Sequence, residues 1–244
     1  MPHFYVHPEN IDGKTFRITG EDVRYLAVVR RCVPGDRIKI FDGKGITMMC
    51  VIDSVSKEEI AGTILKKEEH EKAVVRLCLY TAVPKGNRFD WLVEKCAELG
   101  VAKLIPVLTE RSSVREVTGA KLERWQRLSK AASQQCGRSD LLEVSKQIEF
   151  SEALKNLQPG ALNLIPWESE ETVTLKDAFK LNSGAKEVNV FIGPEGGFSV
   201  GEVDLALKHK LVSVTLGDSI LRVETANLLS TILVLSIFGE YEKK

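Results

Sequence analysis

The stretch VNVFIGPEGGFS, residues 188–199, decides the fold of the C-terminal part of the chain. Its first five residues are almost continuously apolar, and Gly193, Gly196 and Gly197 follow them. An apolar run that ends in turn residues is typical of a strand buried on both faces, as in a parallel sheet covered by helices. Glycines directly after such a strand leave the backbone bare, so that a ligand can approach its N–H and C=O groups closely.

The same alternation of strands and helices extends on both sides of this stretch. Apolar runs predict strands at VRLCLYTAV, AKLIPVL, ALNLIP and LVSVTLG, and periodic apolar positions predict helices over 89–99, 122–136, 200–210 and 224–238. Gly100 stands at the position of a helix C-cap, and Ser199 at that of an N-cap. This pattern indicates an α/β domain with a parallel sheet, which we assign to residues 73–244.

Residues 1–72 have a different pattern, which is typical of a small β domain. Short runs rich in Ile, Val and Phe predict strands at FRITG, DRIKIFDG, ITMMCVIDSV and EIAGTIL, with turn residues between them. A helix is predicted over 21–31, where apolar residues recur on one face. The charged segment KKEEHEK, residues 66–72, lacks periodicity, and we place the linker between the two domains there.

The overall charge does not favour nucleic-acid binding, whereas one segment does. The chain of 244 residues has 34 Lys and Arg and 34 Asp and Glu, which gives a net charge of zero. Between residues 111 and 138, seven basic side chains stand against two acidic ones. This basic segment is either the solvated face of a helix or a surface that contacts a polyanion, and the sequence leaves both interpretations open.

Cysteine usage and hydropathy exclude several classes of protein. Five scattered cysteines without a CxxC pair argue for a reducing compartment and against a zinc site, and we expect no bound metal. The N-terminus lacks the apolar segment of a signal peptide, and the longest apolar run, 228–238, is about half the length that spans a bilayer. We therefore expect a cytoplasmic protein that does not associate with membranes.

The last predicted helix, 224–238, is apolar nearly all round. Such a helix is buried in a large core or in a subunit interface. A domain of this size can cover one face of the helix but hardly every face, and symmetric dimers are the commonest way to bury the rest. We therefore expect a homodimer with this helix at its interface.

Several common catalytic motifs are absent from the sequence. It has no GxGxxG after the first strand of the α/β part, no P-loop, no HExxH and no GxSxG. It has instead three loops that follow predicted strands, namely IPWE at 165–168, GPEGGFS at 193–199 and LGDSILRVETA at 216–226. Open α/β sheets bind ligands at the carboxyl ends of their strands, so these loops are the candidate ligand site.

The loops GPEGGFS and LGDSILRVETA resemble motifs of the SPOUT-class RNA methyltransferases. More closely, they are similar to those of the bacterial family that methylates N3 of a uridine in 16S rRNA. DVRYLAVVRRCVPGDRIKIFDG resembles that family's N-terminal PUA-like RNA-binding domain, and KGNRFDWLVEKCAELGVAKLIPVLTERS and WQRLSKAASQQCGRS resemble its central segments. The sequence departs from the family pattern at Asp218-Ser219 and Leu141-Leu142, and these departures bear on RNA contacts rather than on the cofactor site.

The resemblance implies a C-terminal SPOUT domain whose deep trefoil knot holds S-adenosylmethionine, next to a PUA-like β-barrel in residues 1–72. Backbone groups of the glycine loops would bond the adenine edge, and apolar side chains would wall the slot. The cofactor contacts that the resemblance implies are Ile165, Pro166, Trp167, Ile192, Gly193, Gly197, Leu216, Gly217, Ile220, Leu221 and Ala226.

Methylation at uridine N3 requires that this imide nitrogen lose its proton, so the resemblance implies an anion-stabilising group or a base. Arg222 is the candidate for anion stabilisation, because its guanidinium can bond a uracil carbonyl. Glu195 and Glu224 are candidate proton acceptors, although Glu224 fits the start of a helix equally well. The candidate contacts to 16S rRNA in the small ribosomal subunit are Arg111, Arg124, Arg127, Gln134, Gln135 and Arg138.

Other functions stay open at this point. One is an RNA-binding protein without catalysis that uses only the β domain, and the intact glycine loops argue against it. Another is a SPOUT methyltransferase that acts on a different RNA nucleotide. A third is an unrelated α/β enzyme, such as a hydrolase, that binds a nucleotide at the same sheet edge; detection of bound S-adenosylmethionine would exclude it.

Overall fold

The computed structural model describes residues 3–242, and the chain divides into two compact units. The first unit combines the residues up to Lys72 with Ser133–Leu141. The second combines Ala73–Ala132 with the residues from Leu142 onward. The segment 133–141 therefore groups with the N-terminal unit, although the sequence analysis assigned it to the C-terminal domain.

The first unit is a six-stranded sheet of β1 (His3–Tyr5), β2 (Ile11–Asp12), β3 (Thr15–Thr19), β4 (Arg37–Phe41), β5 (Ile46–Val55) and β6 (Glu59–Glu69). The strand order is β1-β4-β5-β6-β3-β2. β1 pairs with β4 in parallel, and the other pairings of this sheet are antiparallel. Alternate strand residues fill its core, as the period of two of a strand requires; they include Phe16, Ile18, Ile38, Ile40 and Ile60.

Two sequence predictions for this unit need correction. The helix predicted over 21–31 is α1 (Glu21–Arg24) followed by a π-helical stretch, Tyr25–Val29, in which the Arg30 N–H donates to the Tyr25 carbonyl over 2.9 Å. The linker predicted over 66–72 begins too early, because β6 continues to Glu69, which pairs with Ile46. The charged side chains there are exposed, and backbone pairing with β5 holds the strand without apolar burial.

The second unit contains a parallel sheet of β7 (Arg76–Ala82), β8 (Lys103–Leu108), β9 (Glu143–Val144), β10 (Ile148–Glu149), β11 (Leu162–Pro166), β12 (Glu187–Ile192) and β13 (Val212–Val214). The order is β10-β8-β7-β12-β11-β13, and β9 also pairs with β8. Each of these pairings is parallel, which confirms the parallel sheet expected from the apolar runs. The trefoil knot that the resemblance implies stays a prediction.

The helices from Arg88 onward are α2 (Arg88–Leu99), α3 (Gly119–Cys136), α4 (Phe150–Lys155), α5 (Leu175–Leu181), α6 (Val200–Lys208) and α7 (Val223–Ile237). The end of α3, from Ser133, belongs to the first unit. α4 and α5 were not predicted from the sequence, because their six and seven residues are too few for an apolar period to show. The sheet is covered on both faces, by a core around α2, α3 and α7 on one side and a core around α4 and α6 on the other.

Two predicted helix caps are confirmed. Gly100 ends α2 with a φ of 98°, a left-handed conformation that glycine adopts without strain. Ser199 precedes α6, and its hydroxyl accepts the N–H of Glu202 while the Glu202 carboxylate accepts the N–H of Ser199. This capping box fixes where the glycine loop ends and the helix begins.

The C-terminal helix α7 buries polar as well as apolar side chains. Asn227, Ser230 and Thr231 are fully buried, and the Asn227 amide donates to the Thr81 hydroxyl of β7 over 2.9 Å. Ile232 on the same helix remains 44% exposed. The helix therefore leaves one large apolar side chain exposed, and among residues 3–242 no helix is both long and apolar enough to cross a bilayer.

Candidate functional site

Three loops meet at one end of the parallel sheet in the second unit. β12, β11 and β13 are neighbours, with Leu164 paired to Val190 and Pro166 to Val214. Their carboxyl ends therefore lie side by side, and the loops that follow them enclose a cavity of about 290 Å³. This volume is near the lower end of the range for small-molecule sites.

The cavity is lined by ten of the eleven residues predicted as cofactor contacts, namely Pro166, Trp167, Ile192, Gly193, Gly197, Leu216, Gly217, Ile220, Leu221 and Ala226. Ile165 is the exception. Successive side chains of a strand point to opposite faces, so Pro166 lines the cavity while Ile165 is fully buried in the core with Phe191.

Further residues line the cavity that the sequence analysis did not single out: Glu168, Pro194, Gly196, Phe198, Thr215, Ser219 and Val223. All of them lie within or directly beside the three loops already identified. Most of them would have been predicted if every residue of each loop had been a candidate, rather than only its glycines and apolar residues.

At each of the two predicted glycines of the second loop, an added side chain would meet a different neighbour. A Cβ on Gly193 would stand 3.1 Å from the ring of Phe198, which is buried beneath the loop. Gly197 has a φ of 67°, and a Cβ there would meet the carboxyl group of Glu168. Both positions bring the backbone to the cavity surface, as the sequence pattern predicted.

Glu195 lines the cavity as a paired carboxylate. Its Oε1 accepts the Lys85 N–H over 3.1 Å and the Arg88 Nη2 over 2.9 Å. Burial raises the pKa of Glu195, but its backbone hydrogen bonds and the nearby positive charges outweigh burial and leave the pKa below its usual value. Glu195 is therefore ionised at neutral pH and is a weak proton acceptor.

Arg88 joins Glu195 to the other candidate carboxylate. Its Nη1 lies 3.6 Å from Oε2 of Glu224, which is in the first turn of α7 and is 13% exposed. This oxygen has no hydrogen-bond partner among the described residues. Arg88 was not predicted from the sequence, because only the sheet order, in which β7 neighbours β12, brings the start of α2 near the glycine loop.

Arg222 lies beside the cavity without lining it. It is the N-cap residue of α7, between the lining residues Leu221 and Val223, and its side chain is exposed. Within residues 3–242 its guanidinium makes no hydrogen bond or ion pair. Arg222 is thus available for a partner from outside the chain, whereas Glu195 and Glu224 are held by Arg88.

The predicted RNA contacts in the second unit have three different environments. Arg111 donates from Nη1 to the Gly196 carbonyl over 2.9 Å, so it braces the glycine loop. Arg124 pairs with Asp90 at 2.8 Å. Arg127 is exposed and has no ion pair among the described residues.

The other predicted RNA contacts belong to the first unit, whereas the cavity belongs to the second. Gln134 has a buried Oε1 without a hydrogen-bond partner in the described part of the chain. Arg138 pairs with Asp140 at 3.3 Å, and Gln135 is exposed. No group of three or more His, Cys, Asp or Glu side chains suited to a metal ion occurs within residues 3–242.

Comparison with known proteins identifies the family. Residues 70–235 match the model of an RNA methyltransferase domain, and residues 18–65 match that of an RNA methyltransferase PUA domain. The chain is 30% identical to the ribosomal RNA small subunit methyltransferase E of Bacillus subtilis (strain 168) over 226 residues, which are 89% of this chain and 88% of the relative.

Solved structures give the same result. The ribosomal RNA small subunit methyltransferase E of Neisseria gonorrhoeae, bound to S-adenosyl methionine, superposes with a TM-score of 0.86 at 32% identity, covering 97% of this chain and 98% of that one. A putative methyltransferase of Legionella pneumophila in complex with the same cofactor superposes with a TM-score of 0.83 at 27% identity, covering 98% and 97%.

Proposed function

The chain belongs to the RNA methyltransferase family, and from this premise we propose that it methylates 16S rRNA of the small ribosomal subunit with S-adenosylmethionine as methyl donor. The main support for the proposal is the cavity at the carboxyl ends of β11, β12 and β13, because the glycine loops of the family motif line it. The relatives' names supply the substrate, and two solved relatives bind this cofactor.

The residues of the cavity fit S-adenosylmethionine chemically. Ile192, Leu216 and Leu221 offer apolar walls for the adenine, and backbone groups at Gly193 and Gly197 can bond its edge. The lining includes no Lys or Arg side chain, so nothing in it repels a cationic ligand. When bound, the cofactor supplies a methyl group that is attached to a positively charged sulfur. Once the methyl group is transferred, the rest of the cofactor leaves as a neutral thioether.

We propose uridine N3 as the methylated atom, with Arg222 as the catalytic residue. N3 must release its proton before it can form the new bond to carbon, and the negative charge that develops spreads onto the uracil carbonyl oxygens. The unpaired guanidinium of Arg222 beside the cavity can bond such an oxygen and stabilise this charge. Of the two candidate carboxylates, Glu195 lines the cavity and Glu224 does not, but the lowered pKa of Glu195 makes it a weak proton acceptor.

The basic segment and the PUA domain supply RNA binding in this proposal. Arg127 is the clearest candidate for a phosphate contact, since its side chain is exposed and unpaired among the described residues. Arg124 would have to share its charge with Asp90, and Arg111 acts through the glycine loop that it braces. Gln134, Gln135 and Arg138 would contact the RNA from the first unit.

We further propose that the enzyme is a cytoplasmic homodimer. α2 and α7 pack on each other, and both leave large apolar side chains uncovered: Trp91 and Ile232 are each 44% exposed. A symmetric contact through these helices would bury both side chains. Light scattering at micromolar concentration should give the mass of a dimer, and a monomer mass would contradict this part of the proposal.

Nucleoside analysis of 16S rRNA from cells that lack the gene tests the proposed function. The expected result is the loss of 3-methyluridine, with its return when the gene is restored. Loss of a different methylated nucleoside would establish a methyltransferase with another target atom. An unchanged nucleoside profile would favour an RNA-binding protein without catalysis.

A further inference from the structure

The two carboxylates that line the cavity differ in whether a positive charge neutralises them, and the family motif does not explain this difference. Its lining contains two carboxylates, Glu168 and Glu195, and no basic side chain. Glu195 is neutralised by Arg88 at 2.9 Å. Glu168 makes no hydrogen bond or ion pair with the part of the chain that the structure describes. The cavity therefore presents one uncompensated negative charge to whatever it binds.

The backbone before this exposed carboxylate is held by its neighbours. Glu168 follows Trp167, whose N–H donates to the Val214 carbonyl over 3.1 Å and so ties the start of the loop to β13. Its carboxyl carbon and Oε2 lie 3.1 Å from where a Cβ on Gly197 would stand. The absence of a side chain at 197 thus leaves room for Glu168 as well as for a ligand.

We infer that Glu168 recognises the sulfonium charge of the cofactor and thereby favours S-adenosylmethionine over S-adenosylhomocysteine, an inference that rests on the proposed function. The two molecules share the adenosine, the ammonium group and the carboxylate. They differ in the methyl group on sulfur, whose transfer takes the ligand from a net charge of +1 to zero. A carboxylate in the cavity lining attracts the first more strongly than the second, which promotes release of the product.

Calorimetric titration of the purified protein with each ligand tests the inference. Glu168→Gln keeps the size and shape of the side chain and removes its charge. We expect it to weaken S-adenosylmethionine binding about fivefold, a modest effect because the site is open to solvent, and to change S-adenosylhomocysteine binding less than about twofold. Glu171→Gln, an exposed carboxylate outside the cavity lining, is the matched control and should leave both affinities unchanged.

Salt supplies a second measurement. The affinity of the wild type for S-adenosylmethionine should fall as ionic strength rises, because screening weakens the attraction, and this dependence should be flatter in Glu168→Gln. Equal thermal stability of the three proteins would show that the variants fold.

The outcomes separate this inference from the proposed function. If the wild type binds neither ligand, both fail. If it binds S-adenosylmethionine but Glu168→Gln keeps the wild-type ratio of the two affinities, the inference about Glu168 fails and the proposed function stands. An equal loss for both ligands would mean that Glu168 contacts the shared ammonium group, and would also overturn the inference.

Discussion

The glycine loops of the cavity and the basic segment 111–138 were both candidate functional regions in the sequence, but their residues are placed differently in the structure. Nearly all the residues selected from the loops line one cavity. The residues selected from the basic segment are divided among a loop brace, an ion pair, an unpaired side chain and a different unit. Loops that follow neighbouring parallel strands must meet, whereas a run of like charges does not determine what each side chain contacts.

The largest effect should come from adding a side chain where a ligand in the cavity approaches the backbone. Gly197→Val places a branched side chain at a φ of 67°, a conformation that valine rarely adopts, and drives it against Glu168. We expect S-adenosylmethionine affinity to fall by roughly two powers of ten or more, because the valine side chain fills the space in which a ligand approaches the backbone. Calorimetry measures the loss.

Gly184→Val is the control for this change. A Cβ added to Gly184 would meet no atom within 4 Å, and this glycine lies outside the cavity lining. If Gly197→Val and Gly184→Val bound the cofactor with the same affinity, the glycine loop at 197 would contribute no more to cofactor binding than an ordinary surface turn.

The second effect concerns the one candidate catalytic side chain that the chain leaves unpaired within residues 3–242. Arg222→Ala should lower methyl transfer in a single turnover by roughly two powers of ten, as the loss of one charge-stabilising donor does, while cofactor and RNA still bind. Lys176→Ala, in an exposed position on α5, is the control. A near-normal rate for Arg222→Ala would move the catalytic role to another residue.

The third effect tests Arg88, which joins the two carboxylates beside the cavity. Arg88→Met should destabilise the protein by about 1 kcal/mol at neutral pH, since the pair with Glu195 is partly exposed. The pKa of Glu195 is lowered in the folded protein, so its contribution to stability is present at neutral pH and is lost as the pH falls. The difference from wild type in denaturant unfolding should therefore shrink on acidification, and Arg88→Lys should restore part of the stability.

The smallest effect distinguishes two arginines of the basic segment. Arg127→Ala should weaken RNA binding about threefold and lower the slope of log affinity against log salt by roughly 0.7 to 0.9, as the loss of one phosphate contact does. Arg124→Ala should change the slope less, because Asp90 already neutralises Arg124. Equal slopes for the two variants would show that the pairing with Asp90 does not persist when RNA binds.

Much of the architecture could be predicted from the sequence, since apolar runs and helix caps are local signals. The parallel sheet, the cap at Gly100 and the capping box at Ser199 follow from residues next to each other in the chain. The bridge from Arg88 to Glu195 and Glu224 could not be predicted, because its members are more than 100 residues apart and only the sheet order brings them together. The burial of polar side chains on α7 was likewise hidden, since the Asn227 amide donates to Thr81 on a distant strand.

Methylation of isolated small ribosomal subunits tests the central claim most directly. Subunits from cells that lack the gene would be incubated with the purified protein and S-adenosylmethionine labelled in its methyl group, and the 16S rRNA would then be digested to nucleosides. The account predicts label in 3-methyluridine with the wild type and almost none with Arg222→Ala. Label in another nucleoside, or no incorporation by a protein that binds the cofactor, would contradict it.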